Sequence, residues 1–264
     1  MYKTVLSTAL LSSLLFAGGD IAPVEAPVVE EVSNWDFEFS PYAAMSSISG
    51  DSAVISPSAL SHVELPFDDI LDALEFGTAV HFEVLHSGGW GLWIDYNYVS
   101  LGGTGTIPIP DIGVLKEIDV KQAVFEGYGM YRQTLENGTF DYMAGIRRWN
   151  LKLNATLDAP DIHDTKNHWI DFVAGARWTT NLSENWKFYV RGDIGAGDSD
   201  FTATAAAGAR YVINEWIDFD LQYKALWVDY ETGTPRDANN PASTDYFSYD
   251  TLTQGPIIGL NFKF

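Results

Sequence analysis

The last ten residues, Gly255-Pro256-Ile257-Ile258-Gly259-Leu260-Asn261-Phe262-Lys263-Phe264, read with a period of two. Ile258, Leu260, Phe262 and Phe264 share one parity; Ile257, Gly259, Asn261 and Lys263 share the other. In a β-strand the two sets lie on opposite faces. One face is then large and apolar, the other small or polar. A final strand of this kind suits a closed barrel, where the last strand pairs with the first and leaves no open edge. A soluble sandwich can reach the same pattern by chance, so the rest of the chain decides.

The same alternation recurs upstream. Trp35, Phe37 and Phe39 open a first strand that runs to about Ser46, followed by a long connection to about Leu74. Phe76, Val80, Phe82 and Val84 mark a second strand, and His86-Ser87-Gly88-Gly89 a tight turn. Trp90, Leu92, Ile94, Tyr96 and Tyr98 give the third; a Gly/Pro-rich loop covers 102–116. The fourth runs from about Glu117 to Arg132, and Glu136-Asn137-Gly138 turns it into the fifth, with Phe140, Tyr142, Ala144 and Ile146. Beyond a polar loop at 157–167, Ile170 to Trp178 form the sixth strand and Trp186 to Ile194 the seventh. The eighth is Phe201 to Ile213; Asn214-Glu215 turns it into the ninth, Ile217 to Trp227. A long polar loop, 231–247, leads to the tenth.

The expected fold is all-β: a closed, antiparallel, up-and-down transmembrane barrel of about ten strands, an even number as such barrels require. The count falls to about eight if the first strand or Val114–Val120 is miscounted. Connections sort as a barrel predicts: those near His86, Asn137, Ser183 and Asn214 are short, and most of the alternate ones are long. Trp35, Trp90, Trp178, Trp186 and Trp216 fall near strand ends, where interfacial aromatics belong.

Composition agrees. Mean hydropathy is −0.05, and no segment after the N-terminus reaches the roughly 18 apolar residues of a membrane helix. Alternating strands average to such neutrality. Cysteine is absent, which suits an oxidising compartment and removes cysteine-based zinc sites. A net charge of −21 argues against a nucleic-acid partner. Lys3, the Leu-rich run Val5–Phe16 and the small residues Ala17-Gly18-Gly19 predict an export signal over 1–19. Acidic, Pro-containing residues 20–33 predict a disordered periplasmic lead-in, which leaves 34–264 for the barrel.

Several segments also resemble a known group. They are Gly192-Asp193-Ile194-Gly195, Asp200-Phe201, Gly208-Ala209-Arg210-Tyr211, Asp229-Tyr230 and Gly255 to Leu260. Together they look like the C-terminal half of small proteobacterial outer-membrane barrels, the OmpA-like and opacity-type porin barrels. Leu65 to Phe76 is similar to a second motif recurrent there. The ending resembles the family's C-terminal assembly signal, with Leu260, Phe262 and Phe264 as its apolar positions. The resemblance is at fold level and implies location and shape: the bacterial outer membrane, with membrane lipid and the barrel-assembly machinery as partners. It implies no activity, since many members have none assigned.

The inward parity gathers the charge. Its acids are Asp36, Glu38, Glu83, Asp95, Glu126, Asp141, Asp171, Asp193, Asp218 and Asp220, with His81 among them. Its bases are Arg132, Arg147, Arg177, Lys187, Arg191, Arg210, Lys224 and Lys263. Near balance suits ion pairs that brace the lumen; it also suits the wall of a narrow polar passage. Phe67, Ile70, Leu71 and Leu74 follow helical spacing with Asp68, Asp69, Asp72 and Glu75 between them, predicting a short amphipathic helix in the first long loop. That helix could form a lid or partial plug, pack on a loop, or rest at the membrane interface.

Chemical motifs are sparse. His81-x-Glu83 is a His-carboxylate pair on one strand face, without a serine at a matching lipid-facing position. Asp161-x-His163-Asp164 and Asp198-Ser199-Asp200 hold possible cation ligands without the spacing of a calcium loop. No Gly-rich phosphate loop occurs. The sequence therefore predicts no enzyme, no metal and no cofactor. It favours a structural or minor-porin barrel, with surface adhesion through loops 47–74 and 231–247 as the alternative, and a barrel hydrolase after that.

Overall fold

The computed structural model describes residues 33–54, 61–109, 113–157, 162–237, 239–240, 243 and 245–264. The expected leader and all but the last residue of the expected lead-in lie outside them. Asn34–Phe264 form one compact unit. The strand segments are β1 (Trp35–Ala44), β2 (Ser47–Val54), β3 (Ser61–Leu65), β4 (Leu74–His86), β5 (Trp90–Ile109) and β6 (Gly113–Leu135). They continue with β7 (Gly138–Leu157), β8 (Ile162–Asn181), β9 (Trp186–Gly197), β10 (Phe201–Val212), β11 (Ile217–Thr232) and β12 (Phe247–Lys263). One helix, α1 (Phe67–Ala73), lies between β3 and β4.

Each strand pairs antiparallel with its neighbour, and β1 pairs with β12 to close the wall. At the seam the Phe264 N–H donates to the Phe37 carbonyl and the Phe37 N–H to the Phe264 carbonyl, both at 3.1 Å. The two rings stack at 5.9 Å. β1 and β2 meet β12 in one register, Ala44 opposite Ile257 and Ser47 opposite Gln254. They are one wall strand with a jog at Met45–Ser46. Gly255 permits the jog, because a Cβ there would lie 2.2 Å from the Met45 carbonyl oxygen. β3 and β4 are likewise one wall strand, interrupted by α1. The wall therefore has ten strands.

Three connections differ from the sequence expectation. The first strand does not end at Ser46, and part of 47–74 is wall, because β2 finds partners in both β12 and β3. Much of 102–116 and 157–167 is strand, not loop: β5 to β8 run for 20, 23, 20 and 20 residues. Their tips pair with each other above the length a membrane needs, as in Leu151 opposite Asn167.

That extension explains a reversal of polarity along β7, β8, β11 and β12. On the lower part of β7, Phe140, Tyr142, Ala144 and Ile146 face out while Asp141 and Arg147 face in. Higher up, exposed Arg148 and Lys152 face out while buried Trp149 and Leu151 face in. β8 does the same, with Phe172 and Ile170 giving way to exposed His168 and Lys166, and Asp171 giving way to Trp169. β11 and β12 repeat it at exposed Asp229 and Asp250 over buried Val228 and Tyr249. Lipid outside selects an apolar exterior, and water outside selects a polar one. The lower belt is the membrane-embedded part of a bacterial outer-membrane barrel. Trp35, Trp90, Trp178, Trp186 and Trp216 ring its short-turn end, all exposed.

Asp229 and Asp250 sit directly opposite across β11 and β12. Burial first, then Asp250, Asp200 and Glu231, hold the Asp229 carboxyl above its ordinary range. A raised folded-state value means that this group favours the fold at low pH and that the benefit is lost as pH rises through it. Asp250→Asn should therefore raise the unfolding midpoint in detergent near neutral pH, by the low end of roughly 0.2–1 kcal/mol because the pair is exposed. The gain should shrink as the pH is lowered through the carboxylate range.

Candidate functional site

The inward parity of the ten strands gathers a set of acids and bases in the lumen. At its centre Arg147, on β7, is fully buried. It donates to Glu126 (2.6 Å), Asp193 (2.7 Å), Thr202 (2.8 Å) and Thr204 (2.6 Å). Arg191 joins the same acids, Asp193 at 3.1 Å and Glu126 at 3.3 Å, and lies 4.0 Å over the Trp93 ring. Lys224 reaches across from β11 to Glu126 at 2.7 Å. A guanidinium fits this role because its planar donors bind several acceptors at once.

A second group shares Asp141 and Glu83. Arg132 donates to them at 2.7 and 2.9 Å, and Arg177 lies 2.6 and 2.9 Å from them. Arg210 bridges Glu38 (2.8 Å) and Asp220 (3.0 Å), and Lys263 holds Asp218 at 2.8 Å. Some of these pairs link neighbouring strands, such as Arg132 to Asp141, and others join strands far apart around the wall, such as β8 to β4 and β10 to β1. Burying so many ions is favourable only when each finds close partners.

The remaining charges predicted to face inward have other places. Asp36 and Lys187 line the wide end of a cavity of about 720 Å³ that opens toward the short turns. Asp95 accepts from the Tyr42 hydroxyl at 2.8 Å. Asp171, fully buried, accepts the Ser199 N–H at 2.9 Å and so ties down the β9–β10 connection. Asp198 accepts the Ile170 N–H at 2.9 Å in that connection. His81 lies 3.8 Å from Glu83 and packs on Trp93 at 4.6 Å. Ser40 is its cross-strand partner, but the Ser40 hydroxyl donates to Asn261. The side chains of Asp161, His163 and Asp164 lie outside the described residues. Among the described residues no cluster of metal-ligating side chains forms.

Sequence reasoning missed the upper lumen. Trp149, Leu151, Trp169, Val228, Tyr230, Phe247 and Tyr249 pack there as one buried cluster with Val124 and Leu226. Trp169 stacks on Tyr230 at 4.1 Å and on Trp149 at 5.3 Å, and Trp149 meets Tyr249 at 6.3 Å. Since β7 and β12 face each other across the wall, the cluster spans the lumen. Its signal was present in the parity: Trp149 and Leu151 continue the face of Arg147.

Replacing Arg147 by Ala would leave Glu126 and Asp193 short of their main partner. We expect a loss of about 3–5 kcal/mol in stability, the usual cost of stranding a buried charge. Arg147→Met should cost less only if Glu126→Gln and Asp193→Asn are made with it. Urea unfolding in detergent, followed by the shift of the folded band on gels, reads both.

No protein-family model matches the chain, and no curated protein sequence does. Among solved structures, it is similar to the translocator domain of the autotransporter NalP from Neisseria meningitidis, at 8% identity over 89% of this chain and 90% of that one, with a TM-score of 0.48. It is similar to the outer membrane protease OmpT from Escherichia coli, at 11% identity over 89% and 99% of the two chains, TM-score 0.42. The attachment invasion locus protein Ail of Yersinia pestis matches at 8% identity over 88% and 100%, TM-score 0.37.

Proposed function

We propose that this protein is a structural outer-membrane barrel that does not conduct. The carrying observation is the double obstruction of the lumen. The Arg147 cluster joins β6, β7, β9, β10 and β11 at mid-height. The Trp149–Trp169–Tyr230–Tyr249 cluster fills the level above it. Small barrels are filled by side chains in this manner, whereas wide porins keep open water. In this reading the 720 Å³ cavity is a blind vestibule on the short-turn side. Leu260, Phe262 and Phe264 serve recognition by the barrel-assembly machinery, an expectation carried over from the sequence.

A second reading rests on a separate observation. β5 to β8 project beyond the apolar belt, with Arg148, Lys152, Lys166 and His168 exposed on the projection. A rigid, water-facing platform suits contact with another surface better than a floppy loop would.

Planar-bilayer recording separates the structural reading from a minor porin: purified protein should give no single-channel steps even at high salt. Regular small steps that scale with salt would overturn it. Cell-surface binding that is lost when the β5–β8 tips are trimmed, in protein that still does not conduct, would support the platform reading.

A further inference from the structure

The wall is not hydrogen-bonded along its full height between its first two strands. β1 and β4 pair from Trp35–His86 up to Pro41–Val80 and stop there. Above that point Tyr42, Ala43 and Ala44 remain bonded to β12, and Gly77 to Ala79 remain bonded to β5. The two sets of strands part at this level, and α1 is inserted in the second of them. α1 packs against β2 and β5.

A cavity of about 350 Å³ occupies the parting. Phe67, Ile70 and Leu71 of α1 line one side of it, and inward-facing Val124, Leu226 and Ile257 line another. Ala43, Thr78 and Tyr98 line it too, although their parity points outward. The cavity therefore passes through the wall. Exposed Phe39, Phe76 and Tyr96 flank the outer side, so the passage opens in the apolar belt. The acids of α1, Asp68, Asp69 and Asp72, are exposed, away from the apolar lining.

The chemistry of the lining names the occupant. The polar groups that line it are few and mostly engaged: Tyr42 donates to Asp95 at 2.8 Å, Lys224 to Glu126 at 2.7 Å and Tyr249 to Gln122 at 3.1 Å, while the buried Thr253 hydroxyl has no partner among the described residues. What they leave is an apolar channel of the size that holds small ligands, roughly 300–1,000 Å³. Such a space is poorly served by water. The nearest apolar molecules are the bilayer's own. We propose that this cavity takes the acyl chain of a membrane lipid, which enters sideways through the wall between Ala43 and Thr78, with α1 as its cover.

The test uses phosphatidylethanolamine bearing a photoactivatable diazirine on its acyl chain, reconstituted in vesicles with the full-length barrel. After illumination, labelled residues are mapped by peptide mass spectrometry. Label is expected on Leu226 or Ile257, which face inward, as well as on lipid-facing residues. Ala79→Phe and Ala44→Phe each add bulk from an edge of the cavity and should abolish the inward label while lipid-facing label persists. Ala207→Phe, on the lipid side of β10, should leave the inward label intact. Heat-modifiable migration verifies that each variant is folded. Label confined to outward-facing residues of the wild-type barrel would overturn the proposal, whatever the variants do. So would inward label that survives both filling substitutions in folded protein. The conductance result bears on neither outcome, so the two ideas can fail separately.

Discussion

Every backbone N–H and C=O at lipid depth needs a protein partner, because hydrocarbon offers none. The closed ten-strand wall satisfies that need nearly everywhere, the exception being the parting of β1 and β4 above Pro41 and Val80, and the rest of the molecule follows from it. Closure creates an inside, and the pleat sends alternate residues into it. Within the belt many of those residues are charged, beside a smaller apolar group of Trp93, Tyr128, Met130, Met143 and Val173. Above the belt, where water lies outside, the two faces exchange character. One polypeptide thus contains two cores: an ionic one enclosed at membrane depth, and an aromatic one enclosed above it.

The ionic core is held by shared acceptors. Glu126 meets Arg147, Arg191 and Lys224, and Asp141 meets Arg132 and Arg177. Sharing limits the number of desolvated acids and gives each guanidinium more than one direction of attraction. Cross-lumen links such as Arg177 to Glu83 and Arg210 to Glu38 also set the diameter of the cylinder. Trp93 supplies a further face for Arg191, at a position where an aliphatic side chain would leave the cation's flat side against hydrocarbon.

Much of this was legible in the residues. Strand parity follows directly from Phe37, Phe82, Ile94, Phe172 and Leu260, and Glu83, Glu126, Asp141, Arg147 and Arg177, on the opposite parity, are buried. The number of wall strands was within reach for the same reason. The upper core was not read, because one polarity was applied to the whole length of each strand. The reversal at Arg147–Arg148 and at Ile170–Trp169 is visible once two solvents are allowed for. β2 was hidden for a different reason. Ser47-Ile48-Ser49-Gly50 has weak strand character of its own, and it is extended because β12 offers it partners. The helical spacing of 67–74 was readable, but its place in the wall depends on where β1 and β4 stop pairing, which no local pattern encodes.

The seam at Phe37 and Phe264 has a bearing on how the molecule comes into being. It joins one end of the barrel-forming sequence to the other, so no intermediate on the route can present a finished cylinder. Until the last strand docks, β1 and its neighbours hold unsatisfied edges that could pair with any other chain. A topology dominated by distant contacts also forms slowly. Closure is therefore a step that only a chain with both end strands in place can take, and the open edges need shelter from other chains until it is complete.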